Sequence, residues 1–490
     1  MDNSLQTNLY GLFELTLHGT AEGNPFEEVE FGATFQNNKS VIRVAGFYDG
    51  MGIYKVRFMP QAQGEWRYVT YANRSELNGK VGAFTCIEAL PGMHGPVQVT
   101  NQYHFTYADG TPYLPFGTTC YAWAHQGQKL EQATLESLRQ APFNKLRMCV
   151  FPKHYRYNAN EPKFYPFERN ADGEWDFSRF RADFFRHFEQ RVADLANLGI
   201  EADIILFHPY DRWGFANMGR EADDRYLRYL LARLSAHANV WWSMANEYDI
   251  MRGKTMEDWD HLFEVVQAND PYGHLCSIHN WQGMDRHDHK TFYDHRKPWV
   301  THCSVQHNFV DQVSAWREQY GKPVVVDECC YEGNLPNGWG NLTGQEMVRR
   351  FWESTVQGGY CGHGETYLDS EDILWWSKGG LLHGKSPPRI AFLRRVLESL
   401  PQGGLEPIGR ISDTNLGSAG CLGKCYLTYF GMRQPGQATF TMPPESAFRA
   451  EVIDTWEMTI TPLPGIYTQT FILPLPSKPY QAVLLLKVET

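Results

Sequence analysis

The chain has 490 residues, room for roughly two to four domains with full cores. Hydrophobic residues make up 42% and charged residues 21%, which excludes a disordered or fibrous chain. The 45 lysines and arginines against 56 aspartates and glutamates leave a net charge of −11, which disfavours a nucleic-acid partner.

From about residue 9 to residue 99 the runs FELTLHG, VEFGATF, SVIRVAGFYDG, GIYKVRFMP and GEWRYVTYA alternate apolar and polar positions between turn residues. That period of two predicts an antiparallel β-sandwich over 1–100. Residues 90–96, Leu-Pro-Gly-Met-His-Gly-Pro, read as a linker.

The pattern then changes to eight compact apolar runs, TPYLPFGTTC, NKLRMCVFP, IEADIILFHPY, VWWSMANEYD, LCSIHN, WVTHCSVQHN, KPVVVDECC and YCGHGETY. Helical stripes over 179–198, 221–236, 256–268, 309–320, 344–357 and 389–400 lie among and after them, several closed by glycine. Eight strands with interleaved helices predict an α/β fold, a (β/α)₈ barrel over 101–402. A doubly wound sheet is the competitor, but no strand is followed by a glycine-rich phosphate loop. Beyond 402 the alternation returns in CYLTYFG, QATFTMP, FRAEVIDTW, TQTFILP and QAVLLLKVE, a second β-sandwich over 403–490.

Aromatic residues reach 14%, which suits stacking on sugar rings and equally suits β-rich cores. The ten cysteines are too sparse for a disulfide scaffold and read as reduced core residues. No basic start with an apolar stretch behind it opens the chain, and no apolar run has bilayer length. We expect a cytoplasmic protein, or a secreted one whose leader has been removed.

In a parallel barrel the reactive groups gather at the C-terminal strand ends. The fourth run ends in Asn246-Glu247 and the seventh in Asp327-Glu328, carboxylates delivered straight from buried strands. Two carboxyls about 5 Å apart are what retaining glycoside hydrolysis needs, one protonated and one ionised. The other reading of each acid is a strand-end ion pair.

WWSMANEYDI resembles the Asn-Glu acid/base motif of clan A glycoside hydrolases, and KPVVVDECCYEG their strand-seven nucleophile. In domain order the whole chain resembles the clan members with an apiosidase-like or cellulase-like barrel between two sandwiches. The resemblance implies Glu247 as general acid/base, Glu328 as nucleophile and Asn246 as the ligand of the hydroxyl beside the anomeric carbon. Asp327 reads as structural.

Arg147 either holds the nucleophile ionised or forms a salt bridge inside the barrel. His208, His279, Asn280 and His307 close strands three, five and six and are candidate ligands of sugar hydroxyls, with core histidines as the plainer reading. Tyr121, Trp123, Trp213, Trp281, Trp339, Trp375 and Trp376 are candidates for stacking surfaces or ordinary packing. Two departures from the clan pattern stand out. Gln306-His307 ends strand six where a Tyr is usual, and strand eight ends His363-Gly364-Glu365 without its Trp, which brings Glu365 forward as a third pocket acid or as the ligand of a sugar hydroxyl pair.

The expected enzyme is a retaining glycoside hydrolase acting on β-linked or equivalent furanosidic glycosides, on short oligosaccharides and without cofactor or catalytic metal. A homo-oligomer is compatible with the sequence; nucleic acid and membrane are not expected partners. The alternatives are a carbohydrate-binding protein without catalysis and a metal-dependent hydrolase. The second draws on the ligand-rich loop Asp285-Arg286-His287-Asp288-His289, which lacks the spacing of a zinc site.

Overall fold

The computed structural model describes residues 5–285, 292–371, 373–401 and 404–488. Its centre is one parallel sheet of eight strands: β1 (Gly117–Thr119), β2 (Lys145–Cys149), β3 (Glu201–Phe207), β4 (Val240–Ala245), β5 (Cys276–Ser277), β6 (Cys303–Gln306), β7 (Val324–Glu328) and β8 (Tyr360–His363). The ladder runs 5-4-3-2-1-8-7-6, so the first strand pairs with the eighth, as in a barrel and not in a doubly wound sheet. The remaining seam is closed largely by side chains. Ser277 Oγ donates to the His302 carbonyl, and the Asn280 amide bonds both the N–H and the C=O of Gln306 at 3.1 Å.

Alternation along the strands sorts their residues into two layers. Leu146 and Met148 on β2 face outward and pack under the helices Gln128–Gln140 and Ala182–Asn197. Lys145 and Arg147 of the same strand face the axis. There Lys145 Nζ lies 2.5 Å from Asp203 and 2.7 Å from Asp327, and Arg147 Nη1 lies 3.0 Å from Asp203. Burial works against charge on Asp327, but Lys145 and Arg147 more than offset it and hold this carboxyl well below its ordinary range. The barrel interior is therefore an ion-pair layer beneath the strand ends.

Six helices follow the predicted stripes closely, from Ala182–Asn197 to Ser386–Glu398. The helix Gln128–Gln140 and the hairpin Phe167–Arg169 with Trp175–Phe180 were not read from the sequence. Nor was the small sheet of Val97–Thr100, His104–Tyr107 and Pro112–Tyr113, in which the predicted sandwich–barrel boundary falls. Its Val97, Phe105 and Tyr113 pack on Trp241, Leu275 and Val325 and plug the floor of the barrel.

The N-terminal segment forms a five-stranded and a three-stranded sheet around Phe13, Phe35, Phe58, Trp66 and Phe84. Arg57 anchors it to the barrel, donating to the Arg233 carbonyl at 2.8 Å and pairing with Glu189. The C-terminal segment forms a six-stranded and a two-stranded sheet. Leu427, Ile453 and Leu484 of the larger sheet share a core with Trp352 and Val356 of the helix Gly344–Val356. All ten cysteines are unpaired. Among the described residues no helix is long and apolar enough to cross a membrane.

Candidate active site

At the C-terminal end of β4 the Asn246 N–H still bonds to the Phe207 carbonyl of β3 at 3.0 Å, and Glu247 then turns with φ +55°. A side chain in the left-handed region is uncommon outside glycine, so the chain accepts a strained residue at this acid. Asn246 is fully buried. Its Oδ1 accepts from the Tyr121 hydroxyl at 3.0 Å and faces Arg147 Nη2 at 3.4 Å, while its Nδ2 has no partner among the described residues. The amide is thus oriented by the protein and keeps a free donor.

Glu247 accepts a hydrogen bond from Tyr210, which stands just past β3. Burial pushes its carboxyl up to about 7, against the pull of Lys153 and Tyr210; nearby Asp249 adds to the rise. Glu328 ends β7 and accepts from the Tyr331 hydroxyl. Burial likewise raises it to about 7, with Tyr331 opposing. Its Oε1 has no hydrogen-bond partner among the described residues and lies 3.3 Å from His279 Nε2.

The two carboxyls belong to one chamber. Gln306 acts on the titration of both Glu247 and His279, and the Tyr331 phenol, bonded to Glu328, feels the charge of both acids. One side is lined by Tyr121, Tyr157, Tyr331 and Trp376, with Tyr155 and Trp339 packed against them. Two buried acids that titrate near neutrality, each held by a phenol, can divide the work of proton donor and nucleophile.

Residues 99–380, more than half of the chain, match the family described as apiosidase-like, catalytic domain. The chain belongs to the apiosidase-like family. Residues 6–73 and 414–486 match two further families, each described as a domain of unknown function, DUF5060 and DUF5605. No curated protein matches. A solved structure from Bacteroides vulgatus ATCC 8482, described as a candidate glycoside hydrolase, is 41% identical, with 99% of this chain and 100% of that chain covered and a TM-score of 0.92. A family 5 glycoside hydrolase from the same organism is 14% identical, with 81% and 94% covered and a TM-score of 0.61, and shares the fold. The apiosidase-like protein is a glycoside hydrolase, and its substrate is a carbohydrate.

Of the residues singled out in its sequence, Glu247, Glu328, Asn246, Tyr121 and His279 meet in the chamber. Several others do not. Arg147 spends its guanidinium on Asp203, Asp327 and Asn246 and makes no ion pair with Glu328, so the salt bridge inside the barrel is the correct reading. His307 lies one residue past Gln306 and therefore points out of the barrel, edge-on to Trp316 at 5.0 Å. Asn280 has both amide hydrogens committed to the Gln282 and Gln306 carbonyls. His208 bonds the Phe151 carbonyl through Nε2 at 3.1 Å, and burial lowers it to about 3, so it is a neutral structural ring.

Trp123 is completely buried in the main hydrophobic core. Trp375 packs there too and donates Nε1 to Thr118 Oγ1 at 2.9 Å; its neighbour Trp376 is the one in the chamber wall. Trp213 stacks on Phe215, whereas Trp281 remains 44% exposed beyond β5.

Glu365 is not a third pocket acid. Its two oxygens accept the main-chain N–H groups of His383 and Gly384, while Glu332 takes those of Lys385 and Ser386. Together the two glutamates clamp four successive N–H groups at the start of the helix Ser386–Glu398. Donor atoms of Glu332, His363 and Glu365 lie within 4.8 Å of one another, but the loop already fills the space: a Cβ on Gly384 would meet both carboxylates at 2.5–2.6 Å. Of the ligand-rich loop, His287, Asp288 and His289 lie outside the described residues.

Sequence reasoning missed Tyr210, Tyr331 and Lys153. Tyr331 brings its hydroxyl to Glu328 from the β7 loop, and the spacing Glu328-x-x-Tyr331 was its only signal.

Proposed function

We propose that the protein is a retaining glycosidase of β-linked or equivalent furanosidic substrates, working by double displacement on short oligosaccharides. The observation carrying this reading is the pair of buried carboxyls, Glu247 after β4 and Glu328 at the end of β7, in one chamber beside the free Asn246 donor. In the first half-reaction Glu328 attacks the anomeric carbon while Glu247 protonates the departing oxygen. In the second, Glu247 takes a proton from water, which displaces Glu328 and restores the original configuration. The Nδ2 of Asn246 donates to the hydroxyl beside the anomeric carbon, a bond that strengthens as positive charge develops on the ring.

We read 1–100 and 403–490 as β-sandwiches flanking a catalytic barrel over 101–402, and the protein as working without cofactor or metal. NMR of the first-formed anomer tests the mechanism: retention supports it and inversion refutes it. Glu328→Ala loses nearly all turnover and regains part with azide. Glu247→Ala loses about 10²–10⁴-fold on poor leaving groups and far less on activated ones. Equal loss on both leaving-group classes refutes the assigned roles.

A further inference from the structure

The mechanism above makes no use of Lys153. It follows β2 and is 2% exposed, and no hydrogen bond or ion pair reaches its Nζ among the described residues. Instead the ammonium lies 3.6 Å from the ring centre of Tyr121, 4.3 Å from Tyr210, 4.9 Å from Tyr155 and 5.9 Å from Trp376. Two of these rings carry the hydroxyls that hold the reacting groups, Tyr121 on Asn246 and Tyr210 on Glu247. The cation is therefore fixed between the supports of the amide and the acid, with aromatic faces in place of water.

We propose that Lys153 is a positioning residue that stabilises the anionic form of Glu247 in the second half-reaction. This rests on the two-carboxylate reading. Once Glu328 is tied up as a glycosyl ester, the chamber's negative charge passes to Glu247, which must stay ionised in an apolar site until water attacks. Arg147 cannot serve, since it is engaged with Asp203 and Asp327, and His208 and His279 are both kept neutral by burial. Asp249 works in the opposite direction, Tyr210 and Gln306 offer only neutral dipoles, and the Tyr331 phenol is itself held neutral. Among the described residues Lys153 is the remaining cation that acts on Glu247, and each favours the other's charged form; burial first, and then Arg147, draw Lys153 down, to about 8.

The test is the pH dependence of Lys153→Met against Lys153→Arg. Without the cation the basic limb of kcat/KM, set by loss of the proton from Glu247, moves up by about one pH unit. On an activated aryl glycoside, where release of the sugar limits the rate, kcat at pH 6.5 falls about tenfold. The arginine variant keeps both limbs near the parent's. A basic limb that stays put or moves down in Lys153→Met overturns the proposal. So does a loss confined to substrates carrying a carboxylate, which would make Lys153 a substrate-anion site. Should methionine prevent folding, Lys153→Gln gives the same shift with a polar tip of similar length. If Glu328→Ala stays active, the underlying reading has failed; if it is dead and the limb does not move, only the role of Lys153 has failed.

Discussion

His279 presents Nε2 to Glu328 Oε1 at 3.3 Å with no hydrogen to give. A relay across the barrel dictates this. Ser304 donates its hydroxyl hydrogen to Asp327 Oδ2 at 2.6 Å, and Asp327 is an ionised acceptor in the ion-pair layer. The only role left for Ser304 Oγ toward His279 Nδ1, 3.2 Å away, is to accept, which places the imidazole proton on Nδ1. Burial and the nearby Arg147 keep the ring from taking a second proton. The ring therefore gives Glu328 Oε1 no hydrogen bond across that 3.3 Å contact. That contact withholds a stabilising hydrogen bond from the carboxylate and leaves it a stronger nucleophile than a well-solvated one.

Ser304→Ala removes the acceptor that pins the tautomer. The proton can then sit on Nε2 and bond to Glu328, which lowers its pKa. The acidic limb of kcat/KM should move down by about one pH unit, with a lower plateau rate because the nucleophile is weakened. An acidic limb that stays in place would mean that the tautomer is not set by this relay.

Tyr331→Phe should act with the opposite sign. The phenol lowers the Glu328 pKa from one side while burial raises it. With the hydroxyl gone, the acidic limb moves above its parental position near 7 by about one pH unit, and turnover at pH 6 falls roughly tenfold. Paired profiles of the two variants check both directions in one experiment.

The contrast between His307 and Tyr331 explains what could be read before the structure. Long apolar strands announce themselves, so the barrel and its two terminal acids were legible, and Glu247 and Glu328 follow from knowing where those strands stop. Strand parity, however, flips with a single residue. Alternation from the inward Ser304 sends Gln306 into the chamber and His307 out of it, while the pairing with β6 slips by one residue on β7 between Val325 and Glu328. Tyr210, Tyr331 and Lys153 sit on loops just past β3, β7 and β2, where no periodicity marks the direction of a side chain. Trp375 misleads for the same reason: a four-residue helix turns it into the core and its neighbour Trp376 into the chamber wall. Glu365 misled because a buried acid near a strand end looks catalytic until its partners are known to be main-chain N–H groups.

The ion layer under the site yields a stability prediction. Lys145 is fully buried between Asp203 and Asp327, so Lys145→Met strands negative charge in the barrel and costs about 3–5 kcal/mol by urea unfolding at pH 7. Adding Asp327→Asn should recover part of that loss, since the charge left without its partner is the main penalty. The folded-state pKa of Asp327 lies below its unfolded value. Its contribution to stability is therefore present above the ordinary aspartate range and lost as pH falls through it. The parent should accordingly lose stability on acidification more steeply than Asp327→Asn.

Glu365→Gln separates the loop clamp from a pocket acid. Burial and the neighbouring Glu332 raise the Glu365 carboxyl to about 8, against two main-chain N–H donors, so the folded protein favours its protonated form at neutral pH. Because the folded value lies above the unfolded one, the stability tied to this proton is full below the ordinary glutamate range. It declines as pH rises and is gone above about 8. Glutamine cannot ionise, so the variant should escape that decline and unfold at a higher temperature than the parent at pH 9. At pH 5, where the parent keeps its proton, it should unfold at or slightly below the parental temperature, because glutamine gives up one of the two N–H acceptors. Its kcat and KM at pH 6.5 should stay within about threefold of the parent, since Glu365 touches the 383–384 main chain and neither of the two acids. A hundredfold loss of kcat at unchanged thermal stability would instead return Glu365 to the chamber as a reacting group.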